Sequence, residues 1–461
     1  MNQKKSNVSR RQFLSSTALA GVSGALGGLT ACSGGGGNEN KYTPLHPLDE
    51  IYIPDLPDKA MDGKPITAAL VGCGARGTGA AFNFLDAADH VSVVALAEMF
   101  PDKLNNCRNR LKESKGVEIP DNACFLGFDA YKKACDLPVD VILIASPSCF
   151  HPEHTRYAVE QGKHVFIEKP VAIDPVGYRT FMVTLKQARA KRLNVITGAA
   201  YHYHRPFVEA YRMIQAGYIG KILSGKVICN YPNEQFLKRQ PEWSDTEYMI
   251  RTFFNWNCIN GDQISNMLIH WIDVFVWLSH LKPVQVSAFG SRIRRTAGNV
   301  YDNFSMDFEF EQGVTVLGMV RRIDGCDNME GTTIQGDKGV WRSRDSSIHD
   351  LEGHLVWKYD FEAAKAKFKT LDRFTLELID LVNHIRQGKV IDIAEVTAIS
   401  SMASIMARES AYSGKICTWD NMIASNLDLL PAEFASGQLG KMDMKKYETV
   451  PLPGLPVKDL S

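Results

Sequence analysis

An apolar run, Ile66 to Val71, leads directly into Gly72-Cys73-Gly74-Ala75-Arg76-Gly77, and a helical pattern follows. This Gly-x-Gly-x-x-Gly spacing between strand and helix constrains the fold more than any other stretch, because each glycine answers a separate steric demand. Gly72 permits a tight turn out of the strand, Gly74 lets backbone approach a pyrophosphate, and Gly77 lets helix and strand pack closely. A pyrophosphate there meets the free N–H groups and positive dipole end of the helix, whose first turn holds Ala75 and Arg76. A second apolar run, Val91 to Ala97, ends in Glu98. An acid about 20 residues after the fingerprint can accept a ribose 2′-hydroxyl and repel a 2′-phosphate, so the expected cofactor is NAD rather than NADP.

Strand and helix patterns alternate through this half. Strand candidates are 66–71, 91–97, 139–145, 164–167 and 195–198, with helices over 78–85, 152–161 and 175–192 between them. Short apolar strands separated by helices imply parallel pairing with right-handed crossovers. After a helix at 207–216 the character changes. Strand candidates at 222–230, 284–289, 304–310, 314–320, 332–335 and 339–342 are separated by turns such as Gln312-Gly313 and Asp337-Lys338-Gly339. That spacing predicts a mostly antiparallel sheet, with helices inserted at 265–281 and following at 371–387 and 396–412. The expected fold is α/β: an N-terminal Rossmann doubly wound parallel sheet, then a C-terminal α+β domain with a mostly antiparallel open sheet. The segments are 1–31 (signal), 32–64 (tether and N-terminal arm), 65–200 (nucleotide domain), 201–420 (substrate domain) and 421–461 (a surface-wrapping tail).

Four further motifs carry a family resemblance: Ser146-Pro147-Ser148-Cys149-Phe150-His151, Glu168-Lys169-Pro170, His270-Trp271-Ile272-Asp273 and Gly336-Asp337-Lys338-Gly339. With the glycine fingerprint, they make roughly residues 65 to 420 resemble the glucose-fructose oxidoreductase / inositol dehydrogenase family of nicotinamide-dependent sugar enzymes. The resemblance implies that Ser146, Pro147, His151, Glu168 and Lys169 lie near the nicotinamide. It also implies a carbohydrate substrate and a homo-oligomer formed through the open sheet face. Arg408 to Lys415 resembles the closing segment of a subgroup common among exported bacterial members.

Oxidising a sugar hydroxyl removes a hydride from carbon and a proton from oxygen. The cofactor takes the first, and protein groups must accept the proton and stabilise charge on oxygen. Lys169 suits the second task, since a desolvated ammonium polarises an oxygen and shifts its own pKa readily. His270 is the candidate acid/base. Family members often carry an aspartate four residues before this histidine, whereas this chain has Asn266, so Asn266 or Asp262 is expected to support the ring. Tyr201, Tyr203 and His204 follow the last parallel strand and are candidate sugar contacts. Trp256, with Phe253 and Phe254, offers rings to stack on a sugar face. His202 and His204 alone form no ligand set, and no metal site is expected.

Formal net charge is zero, which argues against broad attraction to nucleic acid. Lys4, Lys5, Arg10 and Arg11 precede an uncharged stretch, 13–31. Ser9-Arg10-Arg11-Gln12-Phe13-Leu14 resembles a twin-arginine export signal, and Leu29-Thr30-Ala31-Cys32 a lipoprotein cleavage site. The expected location is the periplasmic face of a bacterial membrane, reached only through a lipid on Cys32. The other nine cysteines are scattered, and no disulfide is expected. Outside the cytoplasm a cofactor that cannot exchange must be regenerated in place. The expected activity is therefore NAD-dependent oxidation of a sugar or glycoside hydroxyl, with C3 favoured, on a tightly bound, recycled cofactor. A glycosidase working by oxidation, elimination and reduction is the alternative, and a non-catalytic sugar- or nucleotide-binding lipoprotein is a third reading.

Overall fold

The computed structural model describes residues 45–46, 51–232, 237–435 and 442–454. The expected signal segment, Cys32 and the glycine-rich tether lie outside the described residues. No helix among the described residues is long and apolar enough to cross a membrane.

The first half alternates as its sequence pattern requires: β1 (Ile66–Val71), α1 (Ala75–Ala87), β2 (Val91–Glu98), α2 (Pro101–Lys115), β3 (Cys124–Leu126), α3 (Ala130–Cys135), β4 (Val141–Ile144), α4 (His151–Glu160), β5 (His164–Ile167), α5 (Pro175–Ala190) and β6 (Val195–Thr197). The strands pair in the order β3-β2-β1-β4-β5-β6, all parallel. Strand order reverses between β1 and β4, which opens a crevice at the C-terminal strand ends. β4 is buried along its whole length, and so reads Val-Ile-Leu-Ile without alternation. β3 was not anticipated, since three residues leave no periodic signal.

The second half comprises α6 (Arg205–Gln215), β7 (Ile222–Tyr231), α7 (Asp245–Arg251), α8 (Asn257–Asn260), α9 (Ile269–Ser279), β8 (Pro283–Ser291), β9 (Asn303–Phe310), β10 (Val314–Arg322), β11 (Met329–Gly336), β12 (Val340–Arg342), β13 (Ser347–His349), β14 (Leu355–Lys358), α10 (Phe361–Lys367), α11 (Arg373–Gln387), α12 (Ala394–Ser413) and β15 (Cys417–Thr418). Its strands form one sheet in the order β14-β13-β12-β11-β7-β10-β9-β8-β15. The pairs are antiparallel except β7 with β10. β10 alternates cleanly: Val314, Val316 and Val320 are buried, while Thr315, Leu317 and Met319 are exposed. The buried face packs on α9 and α12.

Two segments depart from the sequence-based grouping. α11 falls within 201–420, yet its Leu376, Ile379 and Val382 join Phe84 and Phe166 in the core of the first half. Asp372 caps its start by accepting from the amides of Phe374 and Thr375, and Gly388 ends it at φ +64°. The tail does more than wrap the surface. Phe434 and Met442 are buried in a cluster with Phe100, Met249 and Trp256, and the Leu429 amide donates to Asp174 at 3.1 Å.

Candidate active site

The glycine fingerprint divides its labour as expected, and the geometry shows how. Gly72 sits at φ +96°, and a Cβ there would lie 2.6 Å from the Ala145 backbone. A Cβ on Gly77 would lie 1.8 Å from the Gly72 carbonyl oxygen. A Cβ on Gly74 would meet nothing within 4 Å, so Gly74 faces open space rather than protein. No side chain caps the N-terminus of α1, which leaves its amides for an anion. These loops open onto a cleft of about 370 Å³, lined by Gly72, Gly74, Ala75, Arg76 and Gly77 on one side and by Glu98, Ser146 and Pro147 around them. The size and donor set fit a dinucleotide.

Glu98 ends β2 at the cleft. Its Oε2 accepts from the Cys73 amide at 2.7 Å, and its Oε1 from Met99 and Phe100 at 2.7 and 3.2 Å. A carboxylate has about four acceptor positions, so one remains on Oε2 for a ribose hydroxyl. Arg76 lines the same cleft, but its guanidinium is committed elsewhere. Nε donates to Glu168 at 2.5 Å, and Nη2 lies 3.3 Å from Glu377 of α11. Glu377 is fully buried, and burial pushes its carboxyl well above the usual range despite Arg76.

Lys169, at the end of β5, donates from Nζ to the Asn266 carbonyl at 2.7 Å. It shares a small enclosed space with Ala199, Tyr201, Ile269, His270, Asp273 and Thr397. That space is about 10 Å³, the scale of one water rather than of a whole sugar. The rings of Tyr201 and His270 are 5.9 Å apart, edge to face. Burial first, and then Lys169, Arg373 and Arg76, hold the His270 imidazolium well below its usual range.

Several expected site residues lie elsewhere. His151 is 1% exposed and does not line the cleft. Its Nδ1 lies 2.6 Å from the Pro170 carbonyl and its Nε2 2.7 Å from that of Ser146, so it joins the loop after β4 to the turn after β5. Tyr203 is buried in the core beneath α11. Trp256 is 1% exposed and donates to Thr252 at 3.1 Å; its neighbours Phe253 and Phe254 line the nucleotide cleft instead. His204 borders Tyr201, and burial with Arg373 lowers it to about 4.

The support expected for His270 also differs. Residues Ile264–Leu268 form a π-helical turn before α9, so a spacing of four does not stack Asn266 beneath His270. The Asn266 Nδ2 has no hydrogen-bond partner, and this residue serves Lys169 through its carbonyl. Asp262 is fully buried, and its Oδ1 accepts from the Ile264 and Ser265 amides at 2.7 and 3.3 Å. It neighbours Arg408 rather than His270.

Sequence reasoning missed Arg373 and Glu377. Both come from α11, and nothing in their local pattern signals that this helix returns to the first half. Arg251 was missed too. It joins Asp102 across the cleft rim at 2.7 and 2.9 Å.

Comparison with known proteins agrees with this architecture. The inositol 2-dehydrogenase/D-chiro-inositol 3-dehydrogenase of Lactiplantibacillus plantarum is 22% identical over 332 residues, covering 69% of this chain and 83% of that protein. Glycosyl hydrolase family 109 protein 1 of Bacteroides fragilis is 26% identical over 185 residues, 39% of this chain. The match spans only 37% of that relative's length. The structure of Lactobacillus casei scyllo-inositol dehydrogenase with bound NAD(H) and scyllo-inositol superposes with a TM-score of 0.58 at 22% identity, covering 78% of this chain and all of that one. The model described as oxidoreductase family, NAD-binding Rossmann fold, matches residues 66–196, and the GFO/IDH/MocA C-terminal domain matches 207–342. With both halves matched over more than half its length, the chain belongs to the GFO/IDH/MocA oxidoreductase family and carries that family's NAD-binding Rossmann domain.

Proposed function

We propose that this protein oxidises a hydroxyl of a sugar or glycoside, with C3 favoured, using NAD that it retains and recycles. The observation that carries the reading is that Lys169, Tyr201 and His270 line one enclosed space at the strand ends that also bound the dinucleotide cleft. NAD, when bound, supplies the hydride acceptor. Lys169 donates a hydrogen bond to the hydroxyl oxygen as it gains carbonyl character, and Asn266 holds the ammonium in place. His270, neutral at pH 7, accepts the hydroxyl proton at a ring nitrogen. Tyr201 packs edge-on against that ring and limits its rotation.

Export through the twin-arginine route with NAD already loaded, and a lipid on Cys32, complete the proposal. They rest on the N-terminal motifs. The cover over the cleft, built from Phe253, Phe254 and the Arg251–Asp102 pair, supports retention. Regenerating the cofactor in place then requires a second, reductive half-reaction. A glycosidase that oxidises, eliminates and reduces is the second reading, favoured by the family 109 relatives. A homo-oligomer through the exposed sheet face is proposed on the resemblance alone.

The test is mass spectrometry of nucleotide released by heat from the exported, purified protein, followed by incubation with nitrophenyl glycosides. Stoichiometric NAD(H) with a keto-sugar and no nitrophenol supports the oxidoreductase, and released nitrophenol supports the glycosidase. A protein that arrives empty and does not bind added NAD overturns both.

A further inference from the structure

Arg373 is a costly residue where it stands. It opens α11 at the first helical position, where the helix dipole disfavours a cation. Its Nε is buried without a hydrogen-bond partner, and among the described residues it forms no ion pair. Its guanidinium lies 4.4 Å from the ring of Tyr201 and 4.9 Å from that of Phe374. Arg76 stacks on the same Phe374 at 4.6 Å, but Arg76 is already neutralised by Glu168 and Glu377. Tyr201 is the link to the reacting centre, since it lines the Lys169–His270 space. Arg373 thus stands within two ring contacts of His270; the nearest carboxylate to feel its charge, Glu377 one turn along the helix, is in direct contact with Arg76 instead. Among the described residues the one carboxylate whose field reaches Tyr201 is that of Glu330, and it accepts from Tyr231. Arg373 also lies outside both stretches matched by the family models.

We propose that Arg373 is a specificity-determining residue that pairs with a carboxylate on the substrate, so that the sugar oxidised here is a uronic acid or a uronide. The inference rests on the oxidoreductase reading and names its substrate class. A guanidinium pairs with a carboxylate through two parallel hydrogen bonds, a match that a neutral hydroxymethyl group cannot make. Such a substrate also solves a difficulty in the proton path. Burial first, and then the cations Lys169, Arg373 and Arg76, make His270 a weak proton acceptor. A carboxylate on Arg373 offsets the cationic part of that effect and raises the ring's basicity when substrate is in place.

The experiment uses the full NAD-loaded protein and matched pairs of methyl glycosides: glucuronide with glucoside, and galacturonide with galactoside. Binding is measured by calorimetry and turnover by keto-sugar formation, for wild type and for Arg373→Gln. We expect the uronide of at least one pair to bind and turn over better, and Arg373→Gln to lower the uronide-to-neutral ratio about 100-fold, the scale of removing one partner of a buried charge pair. Equal or weaker binding of both uronides in the wild type overturns the proposal. So does a loss of NAD affinity in Arg373→Gln with the ratio unchanged, which assigns the residue to the cofactor. If the uronide binds selectively but no keto-sugar forms with any glycoside, the substrate class stands and the redox reading fails.

Discussion

Arg251 of α7 grips Asp102 of α2 at two points, Nη2 to Oδ1 at 2.7 Å and Nη1 to Oδ2 at 2.9 Å. The guanidinium also lies 4.1 Å from the ring of Phe100. The pair therefore fastens the segment bearing Phe253 and Phe254 over a cleft whose opposite wall holds Glu98 and Phe100. Asp102 is largely exposed, and an ion pair with an exposed member contributes at most about 1 kcal/mol. Arg251→Ala should release NADH about 3- to 5-fold faster in stopped-flow fluorescence, with the difference shrinking at high salt. Identical release rates would mean that the segment does not hold the nucleotide.

The glycines of the fingerprint should fail in different ways. A Cβ at position 77 collides with the Gly72 carbonyl, and backbone cannot yield cheaply, so Gly77→Ala should lower the melting temperature and NAD affinity together. A Cβ at position 74 meets no protein atom but stands where phosphate must approach. Gly74→Ala should melt within about 1–2 °C of wild type, since an unstrained Gly-to-Ala change at a helix start alters stability by under ~1 kcal/mol. Its NAD dissociation constant should nevertheless rise at least tenfold. Equal NAD affinity in Gly74→Ala would show that the phosphates lie elsewhere.

Glu98 should decide between NAD and NADP. Three backbone amides fix its carboxylate, so it cannot swing away from a 2′-phosphate. Two negative groups at contact cost at least ~1 kcal/mol even in water, and more in a cleft. NADP should bind about 10- to 100-fold more weakly than NAD, and Glu98→Ser should narrow the gap. Titration that finds comparable constants for the wild type would refute the role of Glu98.

How much of this was legible beforehand depended on how local each constraint is. β1 and β5 were placed to the residue, because a buried parallel strand is written as a continuous apolar run. Lys169, Tyr201 and His270 were each nominated, and the fold brings them together. Tyr203 and Trp256 were nominated by residue type, yet type does not reveal which way a ring points, and both are core. The pairing of Asn266 with His270 failed on helical geometry, since a π turn is not encoded by any spacing in the sequence. Arg373 and Glu377 reach the site only because α11 crosses back to the first half, a tertiary fact with no local signature.

Lys169 and His270 should separate in kinetics. Lys169→Ala removes the group that stabilises charge on oxygen, and kcat should fall about 10²–10³-fold with NAD affinity preserved. His270→Ala should cost about 10²–10⁴-fold. Because burial and three cations depress His270, kcat/KM of the wild type should show no inflection near 6.5 and should fall only at distinctly lower pH. Near-full turnover in His270→Ala would remove the assignment.

Asp262 offers a test of the buried interior that does not depend on turnover. Burial raises its carboxyl to about 7 from an ordinary value of 3.8, with Arg408 opposing. The folded state therefore holds a proton that the unfolded state has already lost between those two values. The sign follows: the contribution of this group is fully present below about 3.8, is lost progressively as pH rises to about 7, and changes no further above that. Asparagine keeps the oxygen that accepts from the Ile264 and Ser265 amides but cannot ionise. Asp262→Asn should come nearest the wild type near pH 4 and become the more stable of the two by about 3 kcal/mol by pH 7, since each pH unit between the unfolded and the folded value costs up to ~1.4 kcal/mol. Melting curves of the two proteins should diverge with rising pH. Parallel curves from pH 4 to 7 would mean that Arg408 keeps Asp262 ionised throughout.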